Sequence, residues 1–152
     1  MNKSELIELI CKAFKDIELG DGVGLKQAQA IDDYETKEVQ NAYRLKDEMN
    51  DWSKIPAELL DQYHSSLGFF DSEGMRFHLP AYLIAEINRA LFNDIHFHLV
   101  DSSRYALKQR GKLNASQKYA VSQYLHWYLK KDRDQYWRAQ VEKALSDFWE
   151  TT

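Results

Sequence analysis

The sequence has little cysteine, proline or glycine: one, two and six residues respectively in a chain of 152. A single thiol, Cys11, excludes an internal disulfide framework and a multi-cysteine metal site. No apolar run is long enough to span a bilayer. Glu5 and Glu8 interrupt the apolar positions of the N-terminal segment, which argues against a signal peptide. We therefore expect a soluble, cytoplasmic protein with no membrane partner.

The charge is small overall and unequally distributed. The net charge is −4, but residues 1–74 hold sixteen acidic and eight basic side chains, whereas residues 75–152 hold eight acidic and twelve basic ones. The acidic balance argues against a nucleic-acid partner. The acidic first half suits a basic protein partner, which charge complementarity would attract, or two halves that dock on each other.

Hydrophobic periodicity predicts helices along most of the chain. A helix over Ser4–Ile17, capped by Ser4 and ended by Gly20, has its apolar residues at spacings of three and four. Shorter helices are predicted at 25–34, at 36–46 and from Pro56. Asn114 and Gln117 form a capping-box pattern before a further helix, and a charged turn at 130–134 precedes the last one. The sequence thus predicts a mainly α protein: a single compact domain, 1–152, of six or seven helices.

The segment 71–100 allows two interpretations. Asp71 can cap a helix over Ser72–Leu79, with Pro80 kinking it or starting a new helix that runs to Phe92. Alternatively, the residues before Pro80 are extended. The apolar–polar alternation of Ile95–Val100 predicts a strand, and Met75–Leu79 would be its partner in a small two-stranded β-ribbon. We favour the helix for Met75–Leu79 and leave the ribbon open.

Three glycines, at 20, 22 and 24, precede the helix predicted from Leu25. A phosphate-binding P-loop follows a strand and ends in Gly-Lys-Ser/Thr, whereas this stretch follows a helix and continues as "GLKQ". We therefore interpret the stretch as a corner between helices. The positive end of the second helix could still bind an anion.

Several of these stretches, taken in order, resemble an uncharacterised family of small bacterial proteins, a domain of unknown function. They are "GDGVGL" with "AID", "DW" followed by "IP" and "LL", and "HSSLGFFDSEGMRFHLPAYL". The resemblance implies a bacterial, cytoplasmic, stand-alone domain. It implies no activity, cofactor or catalytic residue.

Histidines supply one set of candidate site residues. On a strand, His96 and His98 would point to the same face and could offer two imidazoles to a divalent metal. Equally, they could be ordinary edge-strand histidines. His64 and His78 would complete a metal- or anion-binding enzyme built around four histidines. No full ligand set is evident, and we expect no cofactor.

A second set of candidates favours protein binding. Arg76 and His78 could bind an anion, or Arg76 could form an ion pair with Asp71 or Asp32. Asp32 and Asp33 begin an acidic surface. Protein binding would be favoured by an exposed acidic patch made of Asp32, Asp33, Glu35, Asp47, Glu48 and Asp51. The candidate binding residues are Asp32, Asp33, Trp52, His64, Arg76 and His78. We favour a protein-binding module that resembles an immunity protein or a regulator over the histidine-based enzyme.

Overall fold

We describe residues 1–131 and 135–151 of a computed structural model of the chain. Nine α-helices lie in these residues, and they contain no strand. The helices are α1 (Lys3–Ala13), α2 (Leu25–Asp32), α3 (Lys37–Arg44), α4 (Ala57–Gln62), α5 (Ser72–Ile87), α6 (His96–Val100), α7 (Arg104–Gln109), α8 (Ala115–Leu129) and α9 (Gln135–Ala144). Two 3₁₀ turns, Trp52–Lys54 and His64–Gly68, and a terminal π-helix, Leu145–Trp149, complete the chain. The mainly helical prediction is confirmed, and the number of helices exceeds the predicted six or seven.

Helix α5 is the centre of the structure. Twelve of its sixteen residues are buried, so it is apolar on nearly all sides, as expected of a helix surrounded by others. Helices α1, α4 and α7 pack on it. Pro80 lies inside this helix and does not end it. Packing on all sides offsets the cost of about 3 kcal/mol that an interior proline carries. Of the two alternatives predicted for Pro80, the start of a new helix was wrong, because one helix runs from Ser72 to Ile87.

The predicted β-ribbon is also wrong. Met75–Leu79 belongs to α5, and the proposed second strand is the short helix α6. Ile95 and Leu99, four residues apart, are buried together, whereas Phe97 is 44 % exposed. A helical spacing of four therefore decides which residues enter the core, and the alternation of period two that favoured a strand does not.

The helix ends follow the expected capping chemistry with some shifts in position. The capping box of Asn114 and Gln117 starts α8 as predicted. Helix α1 begins earlier than predicted, because Asn2 and not Ser4 caps it, and it ends at Ala13, so Gly20 lies in the following loop. The predicted turn at 130–134 lies partly outside the described residues.

Helix α3 differs from the others. No side chain of α3, which lies wholly in the described part of the chain, is buried. It packs against α2 and is tethered by hydrogen bonds: Arg44 Nη2 donates to the Gly20 carbonyl at 2.6 Å, and Gln40 Nε2 donates to the Glu35 carbonyl at 2.9 Å.

The apolar residues buried between the helices form one core, from Leu6 of α1 to Trp149 of the π-helix. Within residues 1–131 and 135–151, no helix has both the length and the apolar composition needed to cross a membrane.

Candidate functional site

The glycine loop is held by the start of α5. Asp71 Oδ1 accepts hydrogen bonds from the backbone N–H of Val23 at 3.0 Å and of Gly74 at 2.8 Å, so one oxygen both caps α5 and fixes the loop. Glu73 Oε2 accepts a third bond, from Asp21 N–H at 3.1 Å. The donors that a phosphate would use in a P-loop bind the protein's own carboxylates here.

The N-terminus of α2 is likewise occupied from within. The Asp47 carboxylate accepts the N–H groups of Lys26 at 2.8 Å and Gln27 at 3.1 Å. It thus lies where an external anion would bind at a helix N-terminus. Burial raises the pKa of Asp47, and the two backbone hydrogen bonds act in the opposite direction. The glycine stretch is therefore a structural corner, and its helix end is already filled by a carboxylate.

The double role of Asp71 gives a testable prediction. We expect Asp71→Ala to lower the free energy of unfolding by about 1.5 kcal/mol, because it removes a helix cap and a loop contact together. Asp71→Asn keeps an oxygen at the same position and should lower the free energy of unfolding by less than half as much. Urea titrations of both variants measure this. Equal losses for the two variants would show that the negative charge, and not the shared oxygen, holds the loop.

Trp52 and His78, both candidate binding residues, are buried in the core and form hydrogen bonds within it. Trp52 is buried and its Nε1–H donates to the Phe14 carbonyl at 2.9 Å. His78 is fully buried, stacks on Phe70 with ring centroids 4.2 Å apart, and donates from Nδ1 to the Gly74 carbonyl at 2.7 Å. Burial lowers the pKa of His78 to about 4, so its imidazole is neutral at pH 7.

Arg76 is half-buried on α5. Its Nε is buried and has no hydrogen-bond partner among the described residues, and no salt bridge joins it to Asp71 or Asp32 there. The Lys112 ammonium, 2.7 Å from Glu73 Oε1, lowers the pKa of Glu73, and the charge of Arg76 acts in the same direction. Arg76 thus lies beside the acidic group that fixes the glycine loop.

The histidine pair does not share a face. On α6, residues two positions apart are separated by about 200° around the helix axis. His96 is buried against Tyr128 and Trp137, with ring centroids at 4.5 and 4.6 Å. His98 is half-buried and lies 3.9 Å from the position that a Cβ on Gly68 would take. The same-face prediction was wrong because the segment is helical.

Among the four histidines singled out in the sequence, His64 and His96 act electrostatically on His98. Burial lowers the pKa of His98 to about 4; the Asp101 carboxylate opposes this shift, and the charges of His64, Arg110 and His96 add to it. In residues 1–131 and 135–151, no group of three or more His, Cys, Asp and Glu side chains is placed to hold a metal ion.

The acidic surface is smaller than the sequence suggested. Asp33 and Glu35 are exposed and Asp32 is half-buried, all three in or beside the turn between α2 and α3. Asp47 is buried, and the Glu48 carboxylate accepts backbone N–H groups of the next loop. Asp33 and Glu35, at the turn, are thus the exposed members of the acidic patch expected from the sequence.

A groove of about 320 Å³ opens beside this turn. Asp33, Glu35 and Tyr43 line one part of it, and Gln62 and Tyr63, at the end of α4, line another. Gln29 Nε2 donates to Asp33 Oδ1 at 3.1 Å and orients that carboxylate. The groove therefore joins acidic and aromatic side chains from α3, from the α2–α3 turn and from the residue that follows α4.

Tyr34, at the tip of the turn, was missed by the sequence analysis. It is 96 % exposed, and its φ of 58° is in the left-handed region. The Glu35 N–H donates to the Ala30 carbonyl at 3.0 Å, the arrangement in which a helix usually ends on glycine. A tyrosine in this conformation costs about 1 kcal/mol, and its ring is almost wholly outside the core.

Phe92 is the second exposed aromatic residue that sequence reasoning missed. It is 96 % exposed in the loop after α5, and its N–H donates to Asp61 Oδ1 at 2.8 Å. Asp61 immediately precedes Gln62 and Tyr63 of the groove. Phe92 is thus bonded to the last turn of α4, and Tyr34 lies in the chain between Asp33 and Glu35, which line the same groove as Gln62 and Tyr63. Exposure of single aromatic residues leaves no signature in a periodicity pattern, so the sequence could not reveal them.

The fold and these surfaces define a small, mainly helical protein with an acidic, aromatic groove. Its sequence matches the model of a family of unknown function (DUF6714) over residues 2–152. The chain belongs to that family. No match is found among curated proteins or among solved structures.

Proposed function

We propose that this protein is a small cytoplasmic protein-binding module, comparable to an immunity protein or a regulator, that recognises a basic partner. The surface we assign to this role is the aromatic–acidic face, made of Tyr34, Tyr43, Tyr63 and Phe92 with the carboxylates of Asp33 and Glu35. It replaces the broader acidic surface expected from the sequence.

The observation that carries the proposal is the presentation of Tyr34 and Phe92. Both rings are 96 % exposed although both backbones are fixed, Phe92 by Asp61 and Tyr34 by the end of α2. Burying one such ring against a partner contributes about 2 kcal/mol. Aromatic residues held in place before binding lose little entropy on association and are frequent hot spots of interfaces.

The surrounding charge supports a basic partner. Asp33 and Glu35 lie on either side of Tyr34 and are exposed to solvent. Acidic groups at the edge of an interface accelerate association with a positively charged protein and make it dependent on ionic strength. A polar edge around exposed aromatic residues is the usual composition of a protein interface.

Affinity capture with matched variants tests the proposal. Immobilised wild-type protein is exposed to a lysate of the source organism, and bound proteins are identified by mass spectrometry. We expect a basic partner that Tyr34→Gly and Phe92→Ser each reduce at least tenfold and that Leu45→Ser retains. Leu45 is 80 % exposed but lies outside the groove, so it controls for loss of surface hydrophobicity.

Tyr34→Gly has a further advantage as a variant. Glycine adopts the left-handed conformation without strain. The free energy of unfolding of Tyr34→Gly should therefore equal that of the wild type or be up to about 1 kcal/mol higher. Reduced capture by this variant therefore cannot result from unfolding. Partners that both face variants retain as fully as the wild type would contradict the proposal.

The alternative is a metal- or anion-binding enzyme built around His64, His78, His96 and His98. The electrostatic influence of His64 and His96 on His98 supports it. The enclosure of His78 between Phe70 and Phe77, and of His96 by Tyr128 and Trp137, weighs against it, because buried rings are closed to a substrate.

A further inference from the structure

We infer that the groove beside the α2–α3 turn receives an arginine side chain of the partner protein. This inference rests on the proposed function and names the chemistry of the contact. It concerns the groove lined by Lys26, Asp33, Glu35, Tyr43, Gln62 and Tyr63.

The size of the groove sets the kind of occupant. Its volume of about 320 Å³ is near the lower limit of small-molecule sites. It can hold one or two side chains, whereas a folded helix of the partner would exceed it. The occupant is therefore a side chain that protrudes from the partner. The partner surface around that side chain contacts the rest of the aromatic–acidic face.

The charge of the groove favours a cation. Asp33 and Glu35 supply two carboxylates and Lys26 one ammonium, a net charge of −1. Gln29 already donates to Asp33 Oδ1, but the carboxylate is exposed and can accept further hydrogen bonds. A cation in the groove would contact the carboxylates of both Asp33 and Glu35. These two contacts would outweigh its repulsion by the Lys26 ammonium.

The two tyrosines favour arginine over lysine. Tyr43 is 41 % exposed and Tyr63 is half-buried, with its own carbonyl engaged by the Tyr82 hydroxyl at 2.7 Å. A planar guanidinium can stack on a tyrosine ring while it donates to a carboxylate. It is also less strongly hydrated than an ammonium, so its transfer into a partly enclosed groove costs less.

An NMR titration of the ¹⁵N-labelled protein tests the inference. The probe is the blocked peptide acetyl-Gly-Arg-Gly-amide, and its matched control is the same peptide with citrulline, which is neutral and nearly isosteric. We expect saturable shifts of the amides of residues 33–35 and 62–63, with a dissociation constant in the millimolar range. The citrulline peptide should bind at least tenfold more weakly.

Two protein variants locate the contact. Asp33→Asn combined with Glu35→Gln should weaken the arginine peptide at least fivefold. Glu38→Gln, which removes an exposed acid of α3 outside the groove, should leave its affinity within twofold of the wild type. Equal binding of the citrulline peptide, equal effects of the two variants, or the absence of shifts at the groove would each overturn the inference.

These outcomes are distinct from those of the capture experiment. A groove that does not bind the arginine peptide, together with capture that depends on Tyr34 and Phe92, would refute the arginine contact and leave the protein-binding function standing. Binding of the peptide at the groove, together with capture that does not depend on Tyr34 and Phe92, would refute the proposed protein-binding face and leave the groove as a site that binds arginine.

Discussion

Gly74→Ala should destabilise the protein by about 2 kcal/mol, although alanine normally stabilises a helix. In α5 an added Cβ would lie 2.6 Å from the Val23 carbonyl oxygen and 3.0 Å from Asp71 Oδ1. The nearest atom belongs to a backbone, so the glycine loop itself must move. Such overpacking costs about 1–3 kcal/mol, and displacement of the loop also disturbs the hydrogen bond between Val23 and Asp71. These losses exceed the gain of about 1 kcal/mol in helix propensity.

Gly68→Ala is the matched control for this substitution. A Cβ at Gly68 meets its nearest atom, His98 Cε1, at 3.9 Å, which is an ordinary contact. We expect a change within about 0.5 kcal/mol. Urea unfolding followed by circular dichroism measures both variants. If Gly74→Ala proved as stable as the wild type, the close packing of the glycine loop on α5 would be refuted.

The stability of the protein should fall by about 3 kcal/mol through His78 alone as the pH decreases from about 6.5 to about 4. Burial lowers the pKa of His78 from 6.5 in the unfolded chain to about 4 in the folded one. Between these values the unfolded chain binds the proton and the folded protein does not. The stabilisation is therefore complete above pH 6.5, and it is lost on acidification through this window.

Comparison with His78→Asn isolates this contribution from the titration of the carboxylates. The asparagine amide can donate to the Gly74 carbonyl as the imidazole does, but it does not titrate. The free energy of unfolding of His78→Asn is measured in urea at pH 7, 6, 5 and 4.5. Its slope against pH should be smaller than that of the wild type by up to about 1.4 kcal/mol per pH unit. Identical slopes would show that folding does not lower the pKa of His78. His98→Asn should flatten the slope by a similar amount, because burial also lowers the pKa of His98 to about 4.

Local sequence signals predicted where α5 and α8 begin, whereas the predicted ends of α1 and of the helix after Pro80 were wrong. The pair Asn114 and Gln117 was sufficient for the start of α8, and Asp71 for the start of α5, because capping depends on residues three apart in the chain. The segment around His96 was misassigned, since six residues of alternating polarity fit a strand or a helix. Which of them applies depends on the packing of Ile95 and Leu99, which the sequence alone does not contain.

The candidate site was predictable in composition and not in position. Asp33 was expected on an acidic surface, and it lines the groove. Trp52 and His78 were candidate binding residues, yet the Trp52 Nε1–H and the His78 Nδ1–H donate to the carbonyls of Phe14 and Gly74. Whether such a group is internal or open to a partner depends on residues distant in sequence.

The lack of buried side chains in α3 has a consequence for the dynamics of the groove. Detachment of α3 breaks the hydrogen bonds of Arg44 and Gln40 and uncovers no buried side chain of α3 itself, so we expect α3 to open at a lower free energy than global unfolding. Tyr43, which lines the groove, belongs to this helix. The aromatic–acidic face thus has a rigid edge at α4 and a mobile edge at α3. A partner whose side chain enters the groove and contacts Tyr43 would restrict the motion of α3 on binding.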